Sequence, residues 1–163
     1  MDKGLEKAKD SLNIDTVNML NFNVDLDKDY DIQKMVDDEL DTLGMGGVQE
    51  VRGNKITSQE DENECSWSYV FTYFVALKLV PKNSEEDSPS TLEIRASYVV
   101  TYLSTTQVEE ECLRAFAFNN VGYHVWPYWR EFVGSCCSRL GVPIITVPFY
   151  IMTKPVDPEP ESN

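Results

Sequence analysis

Residues 65–80 read CSWSYVFTYFVALKLV, and large apolar side chains recur there at every second position. Side chains of a β-strand point alternately to its two faces, so this period indicates a strand. Polar residues such as Ser66, Ser68, Thr72 and Lys78 fall on the other face. The pattern therefore predicts a strand with one dry face, lined by Trp67, Tyr69, Phe71, Tyr73, Val75, Leu77 and Leu79.

Three further segments show the same alternation. Residues 91–104 and 12–26 alternate clearly, whereas 48–57 is a weaker strand. No helical crossover separates the four strands, so the sequence predicts an α+β protein with a four-stranded antiparallel sheet. In the first strand the predicted apolar face consists of Leu12, Ile14, Leu20, Phe22, Val24 and Leu26.

The segment between the first two strands, residues 28–47, has the appearance of an insertion. Its apolar residues recur at helical spacing, which predicts a helix that ends at the Gly44-Met45-Gly46-Gly47 run. The residues with this spacing are Ile32, Met35, Val36, Leu40 and Leu43.

Two helices are predicted after the sheet. Thr106 is the expected cap of a short helix that Asn119 and Asn120 end. Proline is tolerated mainly in the first helical turn, so Pro127 predicts that the long helix begins near residues 124–126. The long helix should end at Gly141 and Pro143. Its apolar stripe, predicted to serve packing or an oligomer interface, is Trp126, Trp129, Val133, Cys136, Cys137 and Leu140.

The charge balance limits the possible partners. There are 14 Lys and Arg residues against 28 Asp and Glu, which gives a formal net charge of −14. Nucleic acids and anionic membranes attract cationic faces, so a basic partner is favoured instead. No signal-like segment and no apolar run approaching about 18 residues is present, so we expect a cytoplasmic protein without membrane insertion.

The residues for catalysis are sparse. The four cysteines lack zinc-ligand spacing and are predicted to be reduced thiols, and His124 is the only histidine. No nucleotide-binding or metal-binding motif occurs. We therefore predict no enzyme activity, cofactor or metal, and retain a Cys112–His124 pair as the enzymatic alternative.

The last third of the chain carries an ordered set of motifs. They are Cys112-Leu113-Arg114-Ala115-Phe116, then Asn119-Asn120, then the helix start Trp126-Pro127-Tyr128-Trp129-Arg130-Glu131, then Ser138-Arg139-Leu140-Gly141 and residues 143–148. In this order they resemble the closing region of the SecB protein-export chaperone family.

The resemblance implies a Greek-key sheet followed by a short and a long helix, spanning residues 12–152. Residues 1–11 would form a helical or flexible extension, and 153–163 a disordered acidic tail. The implied function is that of an ATP-independent holding chaperone, active in protein export as a tetramer formed by a dimer of dimers. It would bind unfolded or precursor polypeptides in grooves between the sheet, the long helix and the first interstrand loop. Candidate groove residues are Leu20, Phe22, Met35, Val36 and Phe149.

Docking of the ATPase SecA is the second function implied by the resemblance. The acids Asp15, Asp25 and Glu93 could serve it, although Met19, Asn23 and Arg95 align approximately with positions where the family has acids. This departure leaves two alternatives open. The chain could be a SecB-like chaperone dedicated to one client, such as an antitoxin- or phage-associated protein, or a non-enzymatic interaction domain.

Overall fold

The computed structural model describes residues 3–57, 65–84, 88–148 and 150. The elements, in chain order, are α1 (Lys3–Ser11), β1 (Asn13–Leu26), a 3-10 turn (Ile32–Val36), β2 (Leu40–Thr57), β3 (Cys65–Pro81), β4 (Leu92–Ser104), α2 (Glu110–Phe116), a π-helical turn (Ala117–Val121) and α3 (Gly122–Leu140).

The four strands form one antiparallel sheet in the order β1-β4-β3-β2. Strands β2, β3 and β4 follow each other as neighbours, while β1 lies beside β4 at the far edge. This is a Greek-key arrangement. The predicted α+β fold, with an antiparallel sheet followed by a short and a long helix, is therefore confirmed.

The helix expected from the apolar spacing at residues 32–43 is wrong. Only the 3-10 turn Ile32–Val36 is helical, and Asp31 caps it by accepting a hydrogen bond from the Gln33 amide. Strand β2 already begins at Leu40, and the glycine run pairs with β3, Gly44 opposite Leu77 and Gly46 opposite Val75. Pairing along the whole of β3 therefore outweighs the local helical spacing.

Two β-bulges change the alternation that the sequence suggests for β1. They leave Asp15 and Leu20 as extra residues opposite β4. Each bulge shifts the side-chain alternation by one position. The face predicted from simple alternation is therefore wrong in the middle of the strand, where Leu20 is a bulge residue. The residues that share the helix-covered face through their β4 partners are Ile14, Val17, Met19, Phe22, Val24 and Leu26.

The helices after the sheet are continuous, contrary to the predicted break. Asn119 and Asn120 lie in the π-helical turn, and the Asn119 amide donates to the Ala115 carbonyl. Helix α3 consequently begins at Gly122 and not near residues 124–126, so Pro127 lies inside it and removes one helical hydrogen bond. The predicted Thr106 cap is also wrong, because Glu109 precedes α2 without a side-chain cap.

The core lies between one face of the sheet and the helices α2 and α3. The α3 stripe packs there: Trp129, Val133 and Cys137 are at most 1% exposed and Cys136 is 6% exposed, with Trp126 and Leu140 at the margin. Gly141 ends the helix in the left-handed conformation, as predicted. Helix α1 packs against α2, where Lys7 pairs with Glu109 at 2.9 Å.

Candidate binding groove

A groove follows β2 on the helix-covered side of the sheet. Two open compartments lie end to end along β2, the first of about 490 Å³ at the Thr42 end and the second of about 470 Å³ at the Val51 end. They share Gly46, Tyr73 and Tyr150. We call the pair the β2 groove. Its residues on β2 run from Thr42 to Val51, a length of about 30 Å for an extended chain.

Glycines of β2 form the floor of the groove. Gly44 and Gly46 face the same side as their β3 partners Leu77 and Val75, which belong to the core. Without side chains at these two positions, β2 leaves the surface between itself and α3 uncovered. A Cβ at Gly46 would lie 2.9 Å from the Tyr73 hydroxyl, whereas a Cβ at Gly44 would meet only the Ala76 carbonyl at 3.8 Å.

The wall of the first compartment is aromatic and aliphatic. Trp126 and Trp129 contribute from α3, and Val147 and Pro148 from the segment that follows it. The Trp126 indole Nε1 donates a hydrogen bond of 2.7 Å to the Pro148 carbonyl, so this wall is fixed to the helix. Its chemistry suits apolar side chains.

Two tyrosines meet where the compartments join. A Cβ at Gly122 would lie 2.6 Å from the Tyr150 hydroxyl and 2.7 Å from that of Tyr73, so both hydroxyls converge on the bare start of α3. They are hydrogen-bonded to each other, and burial raises the pKa of both phenols. The Tyr150 ring also lies 5.3 Å from Trp126.

The second compartment is more polar. Glu50 and Arg114 line it, and each has an ion-pair partner, Arg52 at 2.7 Å and Glu110 at 2.6 Å respectively. The first compartment begins at Thr42, beside the exposed acids Asp37, Asp38, Glu39 and Asp41. Glu39 is ion-paired with Lys82 at 3.1 Å, so the acidic end consists mainly of Asp37, Asp38 and Asp41. The acidic end and the apolar wall together favour a ligand that is apolar with flanking basic residues.

The client-binding residues predicted from the sequence do not line the β2 groove, and their binding role stays a prediction. Leu20 and Phe22 are 58% and 62% exposed on β1, at the opposite edge of the sheet from β2. The ring centroid of Phe22 lies 5.3 Å from that of Phe132 on α3. Met35 is only 7% exposed and belongs to the core, while Val36 is 77% exposed. Phe149 lies outside the described residues. None of the described four lines the β2 groove.

The candidate docking acids share a basic neighbour. Arg95 contacts Asp25 at 3.2 Å and Glu93 at 3.5 Å, all on the face of the sheet without helices. Asp15 is exposed at the first bulge of β1. Arg95 therefore offsets much of the negative charge that Asp25 and Glu93 would offer a basic partner.

The only histidine contacts a tyrosine. His124 Nδ1 lies 2.8 Å from the Tyr102 hydroxyl, and Cys112 is buried in α2. Within the described ranges, no group of three or more potential metal ligands occurs, and no helix is long and apolar enough to cross a membrane.

We expect His124 to make the fold less stable in mild acid. Burial lowers the pKa of its imidazole below 6.5, so the unfolded chain binds the proton more readily than the folded chain. The contribution of His124 to the free energy of unfolding is constant above the pKa that its imidazole has in the unfolded chain. It becomes unfavourable to folding as the pH falls through that pKa. The unfolding temperature of the wild type should therefore drop between pH 7.5 and 5.5 more than that of His124→Asn. Equal drops would exclude this role for His124.

Most residues that line the β2 groove are not predicted from the sequence to bind a ligand. The Gly-Met-Gly alternation at 44–46 fits a strand whose one face lacks side chains, although a glycine run equally fits the predicted helix end. Trp126 and Trp129 were predicted to pack, which they do, and their edges also line the groove. Tyr73 and Tyr150 carried no signal, because only the fold brings them together.

Comparison with known proteins identifies the fold. No protein-family model and no curated protein matches the sequence. A solved structure does match: the SecB-like chaperone Rv1957 of Mycobacterium tuberculosis, determined in complex with a ChAD peptide from the Rv1956 HigA1 antitoxin. The TM-score is 0.63 at 13% sequence identity, over 91% of this chain and 97% of the other. The chain thus has the SecB-like fold, as its sequence predicted.

Proposed function

We propose that this protein is a SecB-like chaperone that binds an extended segment of another polypeptide in the β2 groove. The observation that carries the proposal is the groove itself, an open, largely apolar trough about 30 Å long beside an edge strand. About ten residues of extended chain would fit along it.

The edge of β2 supports an extended ligand. In the described chain β2 pairs only with β3, so its other edge presents main-chain donors and acceptors. Burial of apolar surface is not directional, so such a groove can accept varied side chains. The net charge of −14 favours client segments with basic residues. The solved relative of the same fold was captured with a peptide bound.

Two client ranges are compatible with this groove. One is general holding of unfolded or precursor polypeptides without ATP, as in protein export. The other is service to a single client, and the antitoxin peptide bound to the solved relative favours it at least as strongly. We regard both as versions of the same binding activity.

An aggregation assay separates these versions. Three unrelated proteins, denatured in guanidinium and diluted without ATP, should stay in solution with an equimolar amount of a general holding chaperone. A dedicated chaperone should protect at most one of them. Failure to protect any of them, combined with no binding to an antitoxin-like peptide, would contradict the proposed function.

We also propose that the chain forms a homo-oligomer in the cytoplasm. Apolar side chains are exposed on the edge strand β1 (Ile14, Met19, Leu20 and Phe22) and on α3 (Tyr123 and Tyr128). Contiguous exposed apolar surface favours association. Light scattering should give the mass of a tetramer if the chains assemble as a dimer of dimers.

Docking of SecA is less favoured, because Arg95 contacts both Asp25 and Glu93.

A further inference from the structure

We infer that Tyr150 is an internal plug of the β2 groove, which a client must displace to occupy its whole length. The inference rests on the proposed function and adds a gate to it. Tyr150 lines both compartments and sits at their junction with Gly46 and Tyr73. A chain that ran from Thr42 to Val51 along the groove would meet its ring midway.

The plug is held by contacts that resemble those of a bound ligand. The Tyr150 ring lies against Trp126 at 5.3 Å, and its hydroxyl bonds to that of Tyr73. Val147, three residues earlier, is 5% exposed. The protein's own chain thus fills the middle of a groove whose two ends are open.

The segment that carries the plug is held by side chains and by the Trp126–Pro148 hydrogen bond, and not by main-chain pairing. Its last main-chain bond joins the Val142 amide to the Cys137 carbonyl, and residues 143–148 and 150 show no further main-chain pairing within the described chain. Ile144 is 75% exposed. Segments without main-chain pairing open at lower free-energy cost than helices or strands, so Tyr150 can leave the groove without unfolding the sheet.

Gly122 makes the closed position possible. The two hydroxyls rest where any larger residue at the start of α3 would place its Cβ, at 2.6 and 2.7 Å. A glycine at this buried helical position costs helix stability relative to alanine. The closed arrangement of Tyr73 and Tyr150 accounts for its presence.

Removing the plug should strengthen client binding. If the open state is about a tenth of the population, Tyr150→Ala should lower the apparent Kd of a spanning peptide about tenfold and speed its association. Tyr73→Phe keeps the ring but removes one hydroxyl, so its effect should be in the same direction and smaller. Leu103→Ala, at an exposed position on the helix-free face of β4 that lines neither compartment, is the control and should change nothing.

The probe is a fluorescein-labelled peptide of about ten residues, alternating leucine or phenylalanine with lysine, read by fluorescence anisotropy on the full chain. Tighter and faster binding by Tyr150→Ala supports the plug. Binding by the wild type with equal or weaker binding by Tyr150→Ala overturns the plug and leaves the proposed function intact. No binding by either protein overturns both.

Discussion

Gly44→Phe is expected to abolish most client binding while the fold remains intact. The new side chain would leave the floor of the β2 groove towards the wall formed by Trp126 and Trp129. Its Cβ would meet only the Ala76 carbonyl at 3.8 Å, an ordinary contact, and phenylalanine suits a strand better than glycine. Loss of the central apolar contacts should weaken peptide binding about 100-fold, or about 3 kcal/mol.

The neighbouring residue provides the control for this substitution. Leu43 precedes Gly44 on the same strand but faces the helix-free side with its partner Lys78 and is 40% exposed. Leu43→Phe adds aromatic bulk beside Gly44 at a position that lines neither compartment, so peptide affinity should stay within about twofold. Equal affinities of wild type and Gly44→Phe, both folded by circular dichroism, would place the client elsewhere.

Trp129→Ala should produce the largest loss of stability. The indole is 1% exposed, and its ring centroid lies 6.2 Å from that of Phe132. It separates the groove from the core. Truncating a buried tryptophan removes its apolar contacts and leaves a cavity, at a cost of about 3–5 kcal/mol in the free energy of unfolding. Urea denaturation at constant ionic strength measures this loss directly.

The adjacent tyrosine tests whether burial is the cause. Tyr128 is 50% exposed on the same helix, and its change to alanine should cost about 0.5 kcal/mol or less. If Trp129→Ala and Tyr128→Ala destabilise the protein equally, Trp129 is not the central packing residue of α3 and the described core is wrong.

The sheet was predictable because its alternation is dictated by burial. The residues 65–80 and 91–104 lie on the two central strands, where one face is fully covered, so every second residue must be apolar. The edge strands β1 and β2 were harder to predict. Two bulges reverse the alternation of β1, and glycines replace core side chains on β2, so neither strand displays its true face in simple periodicity.

The helical errors have one local cause. Pro127 and the pair Asn119-Asn120 are ordinary signs of a helix boundary, but here the π-helical turn Ala117–Val121 absorbs the irregularity and the chain continues into α3. A π turn has no sequence signature of its own. It depends on how α2 and α3 pack on the sheet, and no single residue of the sequence specifies that packing.

The cavity along β2 was not predicted from the sequence, and a client-binding role of the residues named from the sequence stays a prediction. A SecB-like resemblance implied an apolar groove between sheet and helix, and the fold is confirmed. The expected residues Leu20 and Phe22 lie on β1, whereas the groove follows β2. The centre of the groove is defined by Gly46, Tyr73 and Tyr150: the β2–β3 pairing brings the first two together, and the segment after α3 brings Tyr150 to them.

Site-specific photocrosslinking tests the central claim most directly. A benzophenone amino acid at Thr42, at the end of the β2 groove, should capture a bound unfolded client, and the same group at Asn18 or Thr101, on the helix-free face, should not. Crosslinks from Asn18 or Thr101 and none from Thr42 would contradict the account, because the client would then lie on the opposite side of the sheet.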